Sequence, residues 1–260
     1  MLSEADRNTC ATILLEAART KRQAEQLSKR FPAIDFDDAY AIQAETIRRR
    51  VAEGRRVVGY KIGLTSKAMQ RSSGIDEPDY GILLDDMMYA DGAKINASDF
   101  CVPRVEVELS FVLSKPLQGP GLTVPDVLRA TEYVVPSLEL IDARLLDPRK
   151  IYDTIADNGA AAGIVLGGRP VRPDAIDLRW AGAALYKNGE VEETGLAAGI
   201  MGHPAMGIVW LANRLGPHGI ELPAGQILLA GSFTRPIWCK AGDTVQADFG
   251  TLGQVAVQFV

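Results

Sequence analysis

PRVEVELSFVL, residues 103–113, alternates strictly between apolar and polar side chains. Val105, Val107, Leu109 and Phe111 fall on one side of a strand, and Glu106, Glu108 and Ser110 on the other. The ordinary reading of such alternation is a half-buried strand with one solvated face. Two glutamates at alternate positions are also roughly 6.6–7 Å apart along a strand, so both side chains can converge on a single cation. Either way, this part of the chain is committed to β structure.

Strand-like runs surround it: residues 57–62, 133–141, 163–166, 183–187, 227–230, 244–249 and 255–260. Asn188-Gly189 between two short runs predicts a hairpin turn. Upstream, residues 4–30 and 37–53 read as two helices, rich in Ala, Glu, Gln, Arg and Leu. In the second, Ala39, Ile42, Ile47 and Val51 recur at about helical spacing. Residues 203–215 predict one later helix with Pro204 in its first turn. Many strands with few helices between them exclude a regular βαβ repeat. The expected class is α+β, a helical N-terminal layer followed by a curved, mixed β body. No linker or repeat divides the chain, so residues 1–260 are expected to form a single catalytic domain, with residues 1–55 helical and 56–260 β-rich.

The chain has 260 residues, 47% hydrophobic and 23% charged, with a net charge of -5. That balance excludes a nucleic-acid partner, and no apolar run approaches the length of a membrane span. The polar, acidic start predicts no signal or transit peptide, and Cys10, Cys101 and Cys239 are too scattered for a disulfide framework or a zinc site. A cytoplasmic protein is expected. GxGxxG, GxxxxGK[ST] and GxSxG are all missing. Of the two histidines, His203 precedes Pro204 at a helix start and reads as structural, and His218 as exposed.

PSLELIDAR, residues 136–144, bears on the two glutamates. Glu139 interrupts an apolar strand, and a lone carboxylate there is costly to bury unless it is paired or metal-bound. Glu106, Glu108 and Glu139 together would make an all-oxygen site, suited to Mg2+ or Mn2+ rather than zinc. Three carboxylates around a divalent ion leave negative charge that a nearby cation would balance. Lys61, inside an apolar strand and followed by Gly63, is the candidate, although alone it reads as a lysine reaching the surface. Asp79 is either a turn residue or an acid or base. Asp142 and Arg144 are expected to form a structural ion pair at the strand end.

These residues lie in ordered motifs: GYKIGLTSKAMQ (59–70), EPDYGILLDDM (77–87), PRVEVELSFVL, PSLELIDAR, DTIADNGAAAGIVLGG (153–168), GHPAMGIVWLANRL (202–215), LPAGQILLAGSFTRP (222–236) and AGDTV (241–245). Over nearly the whole chain this resembles the 2-keto-4-pentenoate hydratase family of the fumarylacetoacetate hydrolase superfamily. The resemblance implies a mixed β-roll, barrel-like body with Mg2+ or Mn2+ on the three glutamates, and Lys61 and Asp79 at polar active-site positions. It also implies a homo-oligomer, pentameric or decameric. Residue 160 is Ala where some relatives carry Ser, so no hydroxyl contact is transferred there. The stretch between Arg144 and Lys150 is shorter than in the family's dioate hydratases, which bears on substrate length.

The activity implied is hydration of a 2-oxo-alkenoate in aromatic catabolism, with 2-oxohept-4-ene-1,7-dioate giving 4-hydroxy-2-oxoheptanedioate. Decarboxylation of 2-oxo-3-hexenedioate (4-oxalocrotonate) and hydration of 2-hydroxypenta-2,4-dienoate are the alternatives. A dioate brings a second carboxylate that needs a cation. Lys67, Arg71, Arg149, Lys150 and Arg235 border the expected pocket, with Arg71 and Arg235 the preferred substrate-binding pair.

Overall fold

The computed structural model describes residues 1–67, 70–71 and 77–260. Helix α1 (Glu4–Thr20) starts where the Ser3 hydroxyl accepts the Asp6 amide at 3.1 Å. Helix α3 (Phe36–Ala52) starts at a reciprocal Asp35–Asp38 capping box. The expected helix over residues 4–30 is broken. Lys21 turns left-handed, with φ of 58°, and only α2 (Leu27–Arg30) is helical beyond it. Tertiary bonds outweigh helix propensity here. The Gln23 amide donates to the carbonyls of Ala143 and Leu145, each at 3.0 Å, and Ser28 donates twice to Asp153. Cys10, Leu14, Leu27, Ile42, Leu145 and Ile155 form the apolar seam that joins these helices to the β body.

That body starts with β1 (Val57–Gly63), β2 (Asp79–Leu84), β3 (Met88–Tyr89), β4 (Ala93–Ile95) and β5 (Pro103–Leu113). After α4 (Val124–Ala130) come β6 (Thr131–Asp142), α5 (Ile151–Ala156), β7 (Ala161–Leu166) and the hairpin β8 (Gly182–Lys187) with β9 (Glu190–Leu196). Helix α6 (Ala205–Leu215) precedes β10 (Ile227–Ser232), β11 (Ile237–Trp238), β12 (Thr244–Asp248) and β13 (Gln254–Phe259). The short helices α4 and α5 have no counterpart in the sequence expectation, because each is too brief to show a period.

One mixed sheet runs β2-β1-β10-β5-β6-β7-β3, with β11 joined to β5, and a second runs β4-β13-β12-β8-β9. Register shifts in the β10–β5, β5–β6 and β6–β7 pairs bend the first sheet, as bulges do. The α+β reading with an N-terminal helical layer and a curved mixed body therefore describes the architecture. Val105, Val107, Leu109 and Phe111 are fully buried in the main core. The opposite side of β5 is covered too, since Glu108 and Ser110 are also fully buried. The solvated-face reading of this strand fails. No helix among the described residues is long and apolar enough to cross a membrane.

Candidate metal and active site

Antiparallel pairing of β5 with β6 sets Glu106 directly opposite Glu139 and Glu108 opposite Ser137. Opposed residues project from the same face, and one carboxylate oxygen from each glutamate lies within 4.8 Å of the others. Glu108 Oε2 accepts the Gly231 amide at 2.8 Å. Its Oε1 and both oxygens of Glu139 are buried with no hydrogen-bond partner among the described residues. Burial, and then mutual repulsion, push the carboxyls of Glu106 and Glu108 above the usual range. For Glu139 burial does the same against the pull of Lys61. Converging carboxylates, two of them fully buried with oxygens that lack a hydrogen bond, make a hard-oxygen cradle that fits a divalent cation.

Lys61 enters from β1, and its ammonium lies 3.3 Å from Glu139 Oε1 with the side chain only 6% exposed. Burial alone would lower its pKa. Glu139, Asp79, Glu106 and Glu108 more than offset that and hold it protonated. The lysine runs through a corridor made by missing side chains. A Cβ on Gly81 would come within 3.0 Å of Lys61 Cγ and 2.3 Å of the Asn158 carbonyl oxygen. One on Gly159 would sit 3.3 Å from Lys61 Cδ. Asp79 begins β2 opposite Gly63 and is 2% exposed, so it is no ordinary turn residue. Burial raises its carboxyl pKa against the pull of Lys61 and the Gly63 amide.

The Asp142–Arg144 pair expected at the strand end does not form. Arg144 Nε lies 2.6 Å from Asp157 Oδ1, and its guanidinium also donates to the carbonyls of Asp157 and Ala161. Asp142 instead accepts the amides of Cys101 and Val102. Arg144 thereby clamps a turn in which Asn158, Gly159 and Ala160 are all left-handed, with φ of 56°, 60° and 59°. The Asn158 amide brackets the Ile82 backbone with two bonds of 2.8 Å. The turn is thus pinned to β2 with Gly159 against the lysine stem. Sequence reading did not assign the turn a part in the site, although Asn158-Gly159 is itself a signal for positive φ.

Glu106, the partly exposed member of the triad, opens into a cavity of about 300 Å3 lined also by Gly63, Thr65, Glu193, Phe233 and Arg235. Another cavity, of about 240 Å3, lies under α1 and α3 and touches none of the three glutamates. Arg235 borders the first cavity, but its guanidinium is 80% exposed and 2.7 Å from Glu193. Arg71 is exposed, and residues 68, 69 and 72–76 around it lie outside the described residues. His203 Nδ1 accepts the Ala205 amide at 3.1 Å, a helix-start role as expected, and His218 is exposed.

Fold and carboxylate cradle together point to one class of enzyme, and comparison agrees. The family description "Fumarylacetoacetate (FAA) hydrolase C-terminal" matches residues 57–260, and the chain belongs to this family. It is 53% identical to 2-oxo-hept-4-ene-1,7-dioate hydratase of Escherichia coli, over 98% of this chain and 99% of that one. It is 39% identical to 2-keto-4-pentenoate hydratase of Paraburkholderia xenovorans, over 97% and 94%. Among solved structures, 4-oxalocrotonate decarboxylase from Pseudomonas putida G7, complexed with magnesium and adipate, superposes with a TM-score of 0.97. That pair shares 34% identity and covers 100% of this chain and 99% of the other.

Proposed function

We propose that the protein is a hydro-lyase that adds water to 2-oxohept-4-ene-1,7-dioate, giving 4-hydroxy-2-oxoheptanedioate, with Mg2+ or Mn2+ as cofactor. The observation that carries this reading is the 53% identity to the Escherichia coli hydratase over nearly the full length of both chains. Glu106, Glu108 and Glu139 would hold the ion, which supplies Lewis acidity toward the substrate's C2 carbonyl. Lys61, fixed and protonated, stabilises the negative charge that grows on the C2 oxygen, in the manner of an oxyanion hole. Asp79, buried beside Lys61 with its proton affinity raised, holds and moves the proton that accompanies attack of water. Burial of both groups keeps bulk water from screening them.

The structural likeness to 4-oxalocrotonate decarboxylase supports a second reading, loss of carbon dioxide from 2-oxo-3-hexenedioate on the same site. Incubation with a panel of 2-hydroxydienoates and Mg2+, followed by product mass, separates the two. Hydration adds a water to the seven-carbon dioate, and release of carbon dioxide without hydration would reject the hydratase reading.

We take residues 1–260 as one catalytic unit, because Gln43 of α3 donates to the carbonyls of Tyr80 and Ile155 and so ties the helical layer to the strand that carries Asp79. We infer a homo-oligomer, pentameric or decameric; exposed Trp180, Val191 and Leu196 support association between copies, and light scattering measures their number. Three unpaired cysteines suit a reducing, cytoplasmic setting.

A further inference from the structure

Arg104 stands on the triad side of β5, one alternate position before Glu106, with unbroken register between them. Its neighbour across the strand pair is Trp238 of β11. The guanidinium lies over the indole, 4.7 Å from the ring centroid, while Trp238 remains 55% exposed. Arg104 Nε is buried with no hydrogen-bond partner, and none of the ion pairs among the described residues includes this guanidinium. Arg149, a cation that acts on Arg104, is itself paired with Asp147 at 2.9 Å, and the carboxylates of Glu106, Asp147 and Asp142 act on Arg104 without forming an ion pair with it. A partly buried arginine outside any close ion pair is expensive to keep. Arg235, by contrast, is already neutralised by Glu193.

We propose that Arg104, held over Trp238, grips the far carboxylate of a dicarboxylic substrate whose other end sits at Glu106, Glu108 and Glu139, and so sets the preference for dioates over monoacids. The inference rests on the reading of the triad as the substrate's metal-bound end. Stacking on an aromatic face fixes the guanidinium plane and leaves its N–H edge free for a bidentate carboxylate. Arg104 and Glu106 are one alternate strand position apart, roughly 6.6–7 Å along the backbone, so the guanidinium and the triad share one side of β5.

The test is calorimetric titration of the Mg2+-loaded protein with adipate, a six-carbon dicarboxylate, and with hexanoate, the monocarboxylate of the same length. Adipate should bind more tightly. Arg104→Met should weaken adipate by about 10–100-fold, the worth of a hydrogen bond to a charged group, and leave hexanoate unchanged. Arg104→Lys should restore part of the loss. Trp238→Ala, which keeps the charge and removes its support, should shift adipate in the same direction by a smaller factor. In turnover, kcat/KM for the seven-carbon dioate should fall with adipate affinity, while that for 2-hydroxypenta-2,4-dienoate holds. Equal weakening of both acids, or of neither, overturns the assignment. A wild-type protein that forms no hydrated product would reject the hydratase reading, whereas the adipate–hexanoate comparison alone decides Arg104.

Discussion

Lys61 and Glu139 meet at 3.3 Å, and Lys61 is the one ammonium among the described residues in a pocket that also holds Glu106, Glu108 and Asp79. One buried positive charge does not balance four carboxylates, and the excess negative charge defines what the site takes up.

Magnesium should therefore stabilise the fold as well as support turnover. Adding Mg2+ to the metal-free protein should raise Tm, and chelation should abolish activity. Glu108→Gln keeps an oxygen for the Gly231 amide and removes one repelling charge. It should leave the metal-free Tm unchanged or raised while eliminating the Mg2+-dependent rise. A Glu106→Gln, Glu108→Gln double variant with full activity would rule out the metal assignment.

Lys61→Met should lower kcat by about 10²–10³-fold, comparable to losing one oxyanion donor. KM should change far less, as for a contact strongest in the transition state. Steady-state kinetics that show a change only in KM would reduce Lys61 to an anchor for the substrate carboxylate.

The corridor around that lysine can be tested by filling it. Gly159→Ala adds a methyl 3.3 Å from Lys61 Cδ at a φ of 60°. Gly189→Ala meets nothing within 4 Å at a φ of 85°. Both should lose about 1–2 kcal/mol of stability from left-handed strain. Only Gly159→Ala should lower kcat, with Mg2+ affinity retained. Matching kinetics for the two variants would remove the turn from the site.

In the helical layer, Asp38 anchors the first residues of the chain. Its carboxylate accepts the Leu2 amide at 2.9 Å and pairs with Arg7 at 2.7 Å. Burial pushes its pKa up, but Arg7 and the amides of Leu2 and Asp35 pull it further down, to a net value below the usual range. A depressed carboxyl contributes stability that is present above its unfolded pKa, about 3.9, and is lost as pH falls toward the folded value. Asp38→Ala should cost about 2–3 kcal/mol at neutral pH and flatten the acid limb of stability against pH. Chemical denaturation across that range reads both.

Much of this protein was legible in its residues. Strict alternation in residues 103–113 put Glu106 and Glu108 on one side of a strand. Glu139 stood out because a carboxylate in an apolar run needs a partner, and Lys61 and Asp79 were named from ordered motifs. These readings are local, set by the two-residue period of a strand and the high cost of burying charge. Register is not local. Nothing in the two segments said that Glu106 would face Glu139, that the far side of β5 would be covered, or that Lys61 would be buried. Arg144 was assigned to the nearest acid in sequence, and the fold gave it to Asp157 across a left-handed turn. Helix propensity ran through residues 4–30 until Gln23 and Ser28 found partners in other elements. Arg104 was visible on the same strand face as the glutamates, yet only the docking of β11 on β5 put Trp238 beneath its guanidinium. Sequence determined which chemical groups were available and which face of each strand they occupy. Tertiary structure decided which charges meet, because pairing across strands depends on where distant segments come to lie.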